Sequence, residues 1–207
     1  MTAMAETHLE DSHEARPGYG EGREALLAAA VRVVAQGGLR KLTYRAVAAE
    51  AGVTHGLVAH HFGSRDALLE EALRWCVMRS IETSSLVPAS GRLEDFAATL
   101  ADFVAADPDL QVFQYELKLE SGRRPELRHH VDLLYDAYRD AVRDALACFD
   151  VSQEMTEIVF AALDGLVFHQ VTSGAPDRIK ESVDALRRLL AAHRAQAPPE
   201  ATEALPH

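Results

Sequence analysis

Three histidine side chains stand close together in the segment GVTHGLVAHHFGSRDALL, at His55, His60 and His61. Imidazole is the commonest metal ligand and a frequent general acid or base, so metal binding and catalysis are the first chemistries to consider. On a helix, however, His55 and His60 point about 140° apart, and His60 and His61 also diverge. No HxxxH pair and no carboxylate three or four residues away joins them. The spacing therefore disfavours a metal site, and neither a metal nor a cofactor is predicted.

The same segment predicts two short helices joined by a tight turn, which is a helix-turn-helix. Thr43 can cap the first helix, and Gly52 can end it because glycine tolerates the left-handed conformation. Thr54 can cap the second helix, His55 to Phe62, and Val53 is expected to fill the gap between the two helices. A helix of this size fits the major groove of DNA.

One face of the second helix is expected to point inward and the other outward. Val58 and Phe62, four residues apart, would hold the helix against a core. The outward face would then display Thr54, His55, Gly56, Leu57, Ala59, His60 and His61.

Nearly the whole 207-residue chain has the apolar periodicity of α-helices, and no segment alternates apolar and polar residues as a strand does. We predict an all-α fold of about nine helices, with a three-helix domain over residues 21–67 and a larger helical domain over residues 68–195. The fifth helix is predicted from Arg92 to Ala106. Residues 1–20 and 196–207 are predicted to be disordered.

The charge distribution places positive potential around the helix-turn-helix. The net charge of −11 argues against a protein coated in nucleic acid, yet between Arg40 and Arg65 four basic residues face a single acid, Glu50. No apolar stretch is long enough to span a membrane, the polar N-terminal residues do not form a secretory signal, and Cys76 and Cys148 do not suggest a disulfide framework. A cytoplasmic protein without membrane contact is predicted.

Residues 22–69 resemble the DNA-binding domain of the TetR family of bacterial transcriptional regulators. The match runs through LTYRAVAAEAGVTHGLVAHHFGSRDALLEEAL, and the chain length and nine-helix layout agree with it. The residues that carry the resemblance are Leu42-Thr43, the Ala48–Ala51 run, Gly52-Val53, the His-Phe ending of the second helix, and Ser64-Arg65 followed by Leu68-Leu69. The resemblance implies a homodimeric regulator, by family tendency a repressor, that binds a palindromic operator in double-stranded DNA and is released by a small, largely apolar effector.

The resemblance implies DNA contacts that the chemistry of the residues supports. Hydroxyls at helix N-termini favour phosphate, an arginine can bind a guanine edge through two hydrogen bonds, and a leucine suits a thymine methyl group. The implied DNA-binding residues are Thr43, Tyr44, Arg45, Thr54, His55, Gly56, Leu57, His60, His61 and Arg65.

Three positions leave the implied DNA contacts open. Ala59 stands where the family usually carries tyrosine, so the contact of that tyrosine is absent. Tyr44 either reaches the DNA backbone or packs on a neighbouring helix. His61 either reaches a phosphate or is a solvated surface histidine.

By resemblance, the larger domain encloses an effector pocket. The candidate lining residues are Phe113, Tyr115, Glu116, Leu119, Tyr135, Phe168 and His169. The four from the sixth helix span about 160° of its circumference, so we expect at least one of them to be wrong. The alternative is that these polar groups belong to a hydrogen-bonded core network, or that Glu116 lies on a solvated face.

Two apolar stripes on the last two helices predict a four-helix interface between two copies of the chain. The alternative is that both stripes only pack on the fifth, sixth and seventh helices. The stripes consist of Met155, Ile158, Val159, Ala162 and Leu166 on the eighth helix, and of Ile179, Val183, Leu186 and Leu190 on the ninth.

Two other functions compete with the ligand-responsive regulator. The first is a TetR-like module that organises DNA or binds proteins without a small ligand, and a filled core in the larger domain would favour it. The second is an enzyme, which would need a nucleophile-base pair or a metal set. Glu116 with His169 is the only suggestive pair, and the sequence does not bring them together, so an enzyme is not predicted.

Overall fold

The computed structural model describes residues 19–84 and 86–196, which form an all-α fold as predicted. The nine α-helices of these residues are α1 (Tyr19–Gly37), α2 (Tyr44–Ala51), α3 (His55–Phe62), α4 (Arg65–Ser84), α5 (Leu100–Ala106), α6 (Pro108–Ser121), α7 (Arg128–Leu146), α8 (Gln153–Ser173) and α9 (Pro176–Gln196). Short 3₁₀ helices occupy Leu39–Lys41, Leu93–Asp95, Pro125–Leu127 and Ala147–Phe149.

Helices α1, α2 and α3 form the small N-terminal domain around a buried apolar core. Val34 of α1, Val47 of α2 and Val58 of α3 are all fully buried there. Helix α1 packs against α2, α4 and α6, so the small domain rests directly on the larger one.

Helix α4 belongs to both domains, and the boundary predicted between residues 67 and 68 falls inside it. Ser64 caps this helix, because its hydroxyl accepts the Ala67 N–H at 3.1 Å. Side chains near the start of α4 also bind α1, through the Arg23–Glu71 ion pair. The two predicted domains are therefore joined by a continuous helix.

The larger domain has its core between α5, α6, α7, α8 and α9. Helix α7 packs against α4 and α8, and α9 packs against α8 and α5. Fully buried side chains from separate helices meet in this core, among them Phe113, Leu134, Val159 and Leu190. This packing positions the walls of the cavity described below.

The structure corrects the prediction for the fifth helix. Instead of one helix from Arg92 to Ala106, a 3₁₀ turn at Leu93–Asp95 is followed by a bend, and α5 starts only at Leu100. Ala97 in the bend has a positive φ of 53°, and the Arg187 guanidinium of α9 donates two hydrogen bonds to the Phe96 carbonyl. A tertiary contact thus stabilises a bend that local propensity does not predict.

The predicted terminal disorder lies mostly outside the described residues. Residues 1–18 and 197–207 of the predicted segments are not among them. Tyr19, Gly20 and Gln196 are, and all three are helical, so the predicted disordered segments 1–20 and 196–207 were slightly too long.

Candidate nucleic-acid interface

The turn between α2 and α3 fixes the direction of α3. Gly52 takes the left-handed conformation, with φ of 68° and ψ of 29°, and the Val53 N–H donates to the Ala48 carbonyl at 2.9 Å. Val58 and Phe62 are buried and anchor α3, as predicted. Val53 itself is 37% exposed. The prediction that it fills the gap between the two helices is therefore wrong.

The outer face of α3 is open to solvent over its first two turns. Thr54, His55, Gly56, Leu57 and His60 are exposed. Ala59 and His61 are half-buried, and the His61 ring lies 5.9 Å from that of His60 and 6.1 Å from that of Phe62. The accessible part of this helix is therefore its N-terminal half together with His60.

The two threonines predicted at helix N-termini differ in their hydrogen bonds. The Thr43 hydroxyl accepts the Ala46 N–H at 3.2 Å and caps α2 as predicted. Thr54 occupies the corresponding position of α3, but its side chain makes no capping hydrogen bond there. The exposed Thr54 hydroxyl is consequently available to a ligand at the start of α3.

The surface around α3 is positively charged because its acid is paired. Arg40, Lys41 and Arg45 are exposed. Glu50 accepts a hydrogen bond from Arg32 Nε at 2.6 Å, which neutralises its carboxylate. A surface of this kind attracts phosphate.

Two residues of the predicted DNA-binding set make contacts within the protein that stabilise the fold. The Tyr44 hydroxyl is buried without a hydrogen-bond partner, burial raises its pKa, and its ring packs on the core. The Arg65 guanidinium donates to the Leu42 carbonyl at 2.7 Å and the Leu39 carbonyl at 2.9 Å. Tyr44 thus has the packing role that was the alternative prediction, and Arg65 ties the start of α4 to the segment before α2.

Two family models cover most of the chain. Residues 26–72 match the model described as bacterial regulatory proteins of the tetR family, and residues 91–193 match the tetracyclin repressor-like C-terminal domain. The chain belongs to the TetR family. It is a transcriptional regulator with a helix-turn-helix DNA-binding domain, and the predicted family resemblance is confirmed.

Curated relatives and solved structures agree with membership of the TetR family. The chain is 27% identical over 179 residues to the HTH-type transcriptional regulator BetI of Rhizobium meliloti, covering 83% of this chain and 88% of that protein. A TetR-family member of Streptomyces coelicolor is 29% identical, with a TM-score of 0.63 over 80% of this chain and 98% of the other. The multidrug-binding protein EbrR, solved with malachite green, is 27% identical, with a TM-score of 0.60 over 81% of this chain and 96% of EbrR.

The second domain of this TetR-family chain contains a small inner cavity of about 70 Å³. It lies between helices α4, α5, α6, α7 and α8, and its wall is apolar on the α5 side. Its polar lining residues are Ser80, Ser84, Gln111, Gln114, Tyr115, Lys118, Tyr138 and Asp164. We call this space the inner cavity.

A second, more open space of about 360 Å³ lies on the surface beside it. We call it the outer depression, and its lining is Tyr115, Lys118, Leu119, Tyr135, Asp164, Gly165 and Phe168. Four of the seven predicted effector residues meet here, namely Tyr115, Leu119, Tyr135 and Phe168. Of these four, Tyr115 also lines the inner cavity.

The other three predicted effector residues lie elsewhere. Phe113 is 0% exposed and packs in the core. Glu116 points toward the DNA-binding domain, because a Cβ added to Gly38 would lie 3.4 Å from its Oε2. His169 is exposed on α8. These three positions line neither the inner cavity nor the outer depression, which corrects their assignment.

Sequence reasoning missed most of the polar lining of the inner cavity. Gln111, Gln114 and Lys118 share one face of α6, at spacings of three and four residues, and Ser80 and Ser84 share one face of α4. Polar residues at helical spacing on an otherwise buried helix were the available signal.

The apolar stripe predicted on α9 lies inside the protomer. Ile179, Val183, Leu186 and Leu190 are buried against the rest of the same chain, and so is Val159 of α8. Side chains with so little accessible surface cannot present an interface to a second copy in this arrangement, so they correct the predicted interface. Met155, Ala162 and Leu166 are half-buried, and Ile158 is exposed.

The outward faces of α8 and α9 carry different apolar residues. Small side chains dominate α8 there, at Ala161 and Gly165, between the larger Ile158 and Phe168. On α9 the outward face carries Ala185, half-buried, then Leu189, which is 65% exposed, and Ala192. This pair of helices thus has an unpartnered apolar surface.

Two further features concern the described residues only. No group of three or more His, Cys, Asp or Glu side chains among them is arranged to hold a metal ion. None of their helices combines the length and apolar character that crossing a membrane requires.

Proposed function

We propose that the protein is a ligand-responsive transcriptional repressor that binds a palindromic operator as a dimer. The observation that carries this proposal is the exposed N-terminal half of α3, which presents Thr54, His55 and Leu57 beside the basic Arg45. A helix presented in this way suits the major groove, where base edges have a unique pattern of donors and acceptors.

Within this proposal the DNA contacts divide by chemistry. Arg45, His55 and Leu57 contact base edges, while the hydroxyls of Thr43 and Thr54 face phosphates at helix N-termini. Gly56 lets the main chain of α3 approach the groove. His60 and His61 extend the contact toward the DNA phosphates. Tyr44 and Arg65 act indirectly, because their polar groups are occupied by, or buried in, the fold.

A second copy of the chain is proposed to cover the outward faces of α8 and α9. The small side chain of Ala161 allows close helix approach, and Ile158 and Leu189 supply apolar area. A dimer of this kind places two recognition helices about 34–36 Å apart, one turn of DNA. In the proposed interface, α9 therefore contacts the second copy through its outward face and not through the buried stripe predicted from the sequence.

The effector is proposed to bind at the inner cavity and the outer depression. A cavity inside the second domain favours a ligand-responsive regulator over a module that acts without a small molecule. EbrR, which was solved with malachite green, shows that a structurally similar protein accommodates a small organic molecule. An effector with different affinities for the DNA-bound and the free arrangement would shift the equilibrium between them.

The proposed function is tested by selecting random DNA duplexes with the purified full chain at a stated salt concentration. We expect a palindromic motif, and we expect Arg45→Ala and His55→Ala each to lower affinity for it by about 1–3 kcal/mol. Arg74→Ala is the matched control, because it removes an exposed arginine of α4 that is paired with Glu70. Binding without sequence preference, or equal losses in all three variants, would contradict the proposal.

A further inference from the structure

The inner cavity and the outer depression share part of their lining. Tyr115, Lys118 and Asp164 line both spaces and therefore form the wall between them. Lys118 Nζ lies 2.7 Å from Asp164 Oδ1, and the Tyr115 hydroxyl lies 3.0 Å from the Asp164 carbonyl oxygen and 3.2 Å from Oδ1. We call these three residues the polar gate.

The polar gate is closed by an ammonium group that also contacts two aromatic rings. Lys118 Nζ lies 4.6 Å from the Tyr115 ring centre and 4.3 Å from that of Tyr135, where the faces of the rings attract a cation. The Lys118 side chain is 13% exposed and that of Asp164 is 33% exposed. Because both charges stand at the border of solvent, they can separate into water rather than into the core.

The Tyr138 hydroxyl lies in the wall of the inner cavity, away from the outer depression. It is buried beside the side chains of Ser80 and Gln114 but forms a well-aligned hydrogen bond with neither, and burial raises its pKa, so the phenol stays protonated. The neighbouring amides of Gln111 and Gln114 both donate to Ser80 Oγ, at 3.4 Å each. A ligand oxygen placed here could accept a better-aligned hydrogen bond from the Tyr138 hydroxyl than the protein itself supplies.

The charge of the lining selects against charged ligands. Of the residues that line the two spaces, Lys118 and Asp164 carry charge, and they neutralise each other. A ligand with a net charge would either remain unpaired in an apolar environment or compete with an ion pair that is already formed, and both are unfavourable.

The inner cavity is too small to hold an effector by itself. Its volume of about 70 Å³ has room for a few water molecules but not for a small organic molecule. Small-molecule sites usually enclose about 300–1,000 Å³, which the inner cavity reaches only if it is joined to the outer depression of about 360 Å³.

We propose that the effector is an uncharged, elongated molecule that lies across the opened polar gate. An oxygen at one end of the molecule accepts a hydrogen bond from the Tyr138 hydroxyl. Its apolar body lies among the rings of Tyr115, Tyr135 and Phe168. This inference rests on the proposed ligand-responsive function and adds to it the class of ligand and its route of entry.

The first test uses Prodan, an uncharged naphthalene fluorophore with a ketone at one end, titrated into the purified full chain. We expect saturable binding with a blue-shifted emission. 6-Dimethylaminonaphthalene-2-sulfonate, which retains the naphthalene and the dimethylamino group of Prodan and has a permanent negative charge in place of the ketone, is expected to bind at least about tenfold more weakly. Equal affinities, or no saturable binding of Prodan, would overturn the proposed ligand class.

The second test locates the ketone with two tyrosine variants. Tyr138→Phe removes the buried donor and is expected to weaken Prodan binding about fivefold, the usual effect of one neutral hydrogen bond. Tyr135→Phe is the matched control, because it removes a hydroxyl in the outer depression and retains the ring. Equal effects of the two substitutions would overturn the proposed orientation.

The third test addresses the polar gate through the rate of binding. Lys118→Met removes the ion pair of the gate and is expected to raise the association rate of Prodan several-fold in stopped-flow measurements. Lys180→Met is the control, since Lys180 forms an ion pair with Asp102 of the same 2.7 Å length on another face of the protein. An unchanged rate in Lys118→Met, or equal increases in both variants, would overturn the gate.

A parallel measurement separates failure of this inference from failure of the proposed function. Each variant is assayed for binding to the selected operator with and without Prodan. Specific DNA binding without Prodan binding would refute the ligand class and leave the DNA-binding function standing. Prodan binding without specific DNA binding would refute the proposed function instead.

Discussion

The DNA-binding domain and the larger domain present their candidate functional side chains in opposite ways. In the first, the proposed contacts with DNA come from the exposed face of α3 and from Arg45. Most of these side chains make few contacts with the protein core. In the second, the lining of the inner cavity comes from five different helices and is largely buried. A surface contact can therefore change without loss of stability, whereas the lining of a cavity is also part of a hydrophobic core.

The largest effect is expected from two residues of α6 that were both predicted to contact the effector. Phe113→Ala should lower the free energy of unfolding by about 3–5 kcal/mol, because the ring is fully buried and leaves a cavity. Leu119→Ala should lower it by less than about 0.5 kcal/mol, since this side chain is 62% exposed. Urea unfolding monitored by circular dichroism measures both values.

Similar losses in the two variants would contradict the assignment of Phe113 to the core. The comparison also tests function, because Leu119 lines the outer depression and Phe113 does not. We expect Leu119→Ala to change Prodan affinity while the protein remains folded.

The contrast between the two domains also explains what the sequence could predict. The turn at Gly52, the cap at Thr43 and the anchors Val58 and Phe62 act over a few residues, so the pattern of residue types predicts the direction of α3. Val53 was the exception, because whether a side chain between two helices is buried depends on the angle at which they cross.

The larger domain was predictable as a set of helices but not as a site. Helix α6 is buried on two sides, with Phe113 in the core and Gln111 and Gln114 facing the cavity. The sequence does not show which buried side of such a helix faces an empty space. The same difficulty explains the wrong prediction for α9. Periodicity identifies its apolar stripe but does not say whether the same chain or a second copy covers it.

An intermediate effect is expected at Arg65. This residue lies in the DNA-binding domain, but its guanidinium is hydrogen-bonded within the protein instead of being free on the surface. Arg65→Met keeps the aliphatic stem but loses the hydrogen bonds to the Leu39 and Leu42 carbonyls. Hydrogen bonds to charged groups contribute about 1.5–3 kcal/mol each. Because Arg65 is half-buried and water replaces part of the lost contacts, we expect a smaller total loss of about 2 kcal/mol in the free energy of unfolding. Operator affinity should fall as well, because the segment before α2 loses its attachment to α4.

Arg45→Met is the matched control for Arg65→Met, since Arg45 is an exposed arginine of the same domain. We expect it to weaken operator binding without a change in the urea midpoint. If Arg65→Met weakened DNA binding with no loss of stability, the originally predicted phosphate contact would be the better account of Arg65.

The smallest effect is expected at Tyr44, where ring and hydroxyl have different roles. The hydroxyl is buried without a partner, so Tyr44→Phe removes a desolvated polar group and should leave stability unchanged or raise it by up to about 1 kcal/mol. Tyr44→Ala, which also removes the ring that packs on the core, should destabilise the domain. Thermal unfolding and operator binding are measured for both variants. A loss of operator affinity in Tyr44→Phe at unchanged stability would mean that the hydroxyl leaves its buried position to contact DNA, so the structure of the free protein would not describe this part of the interface.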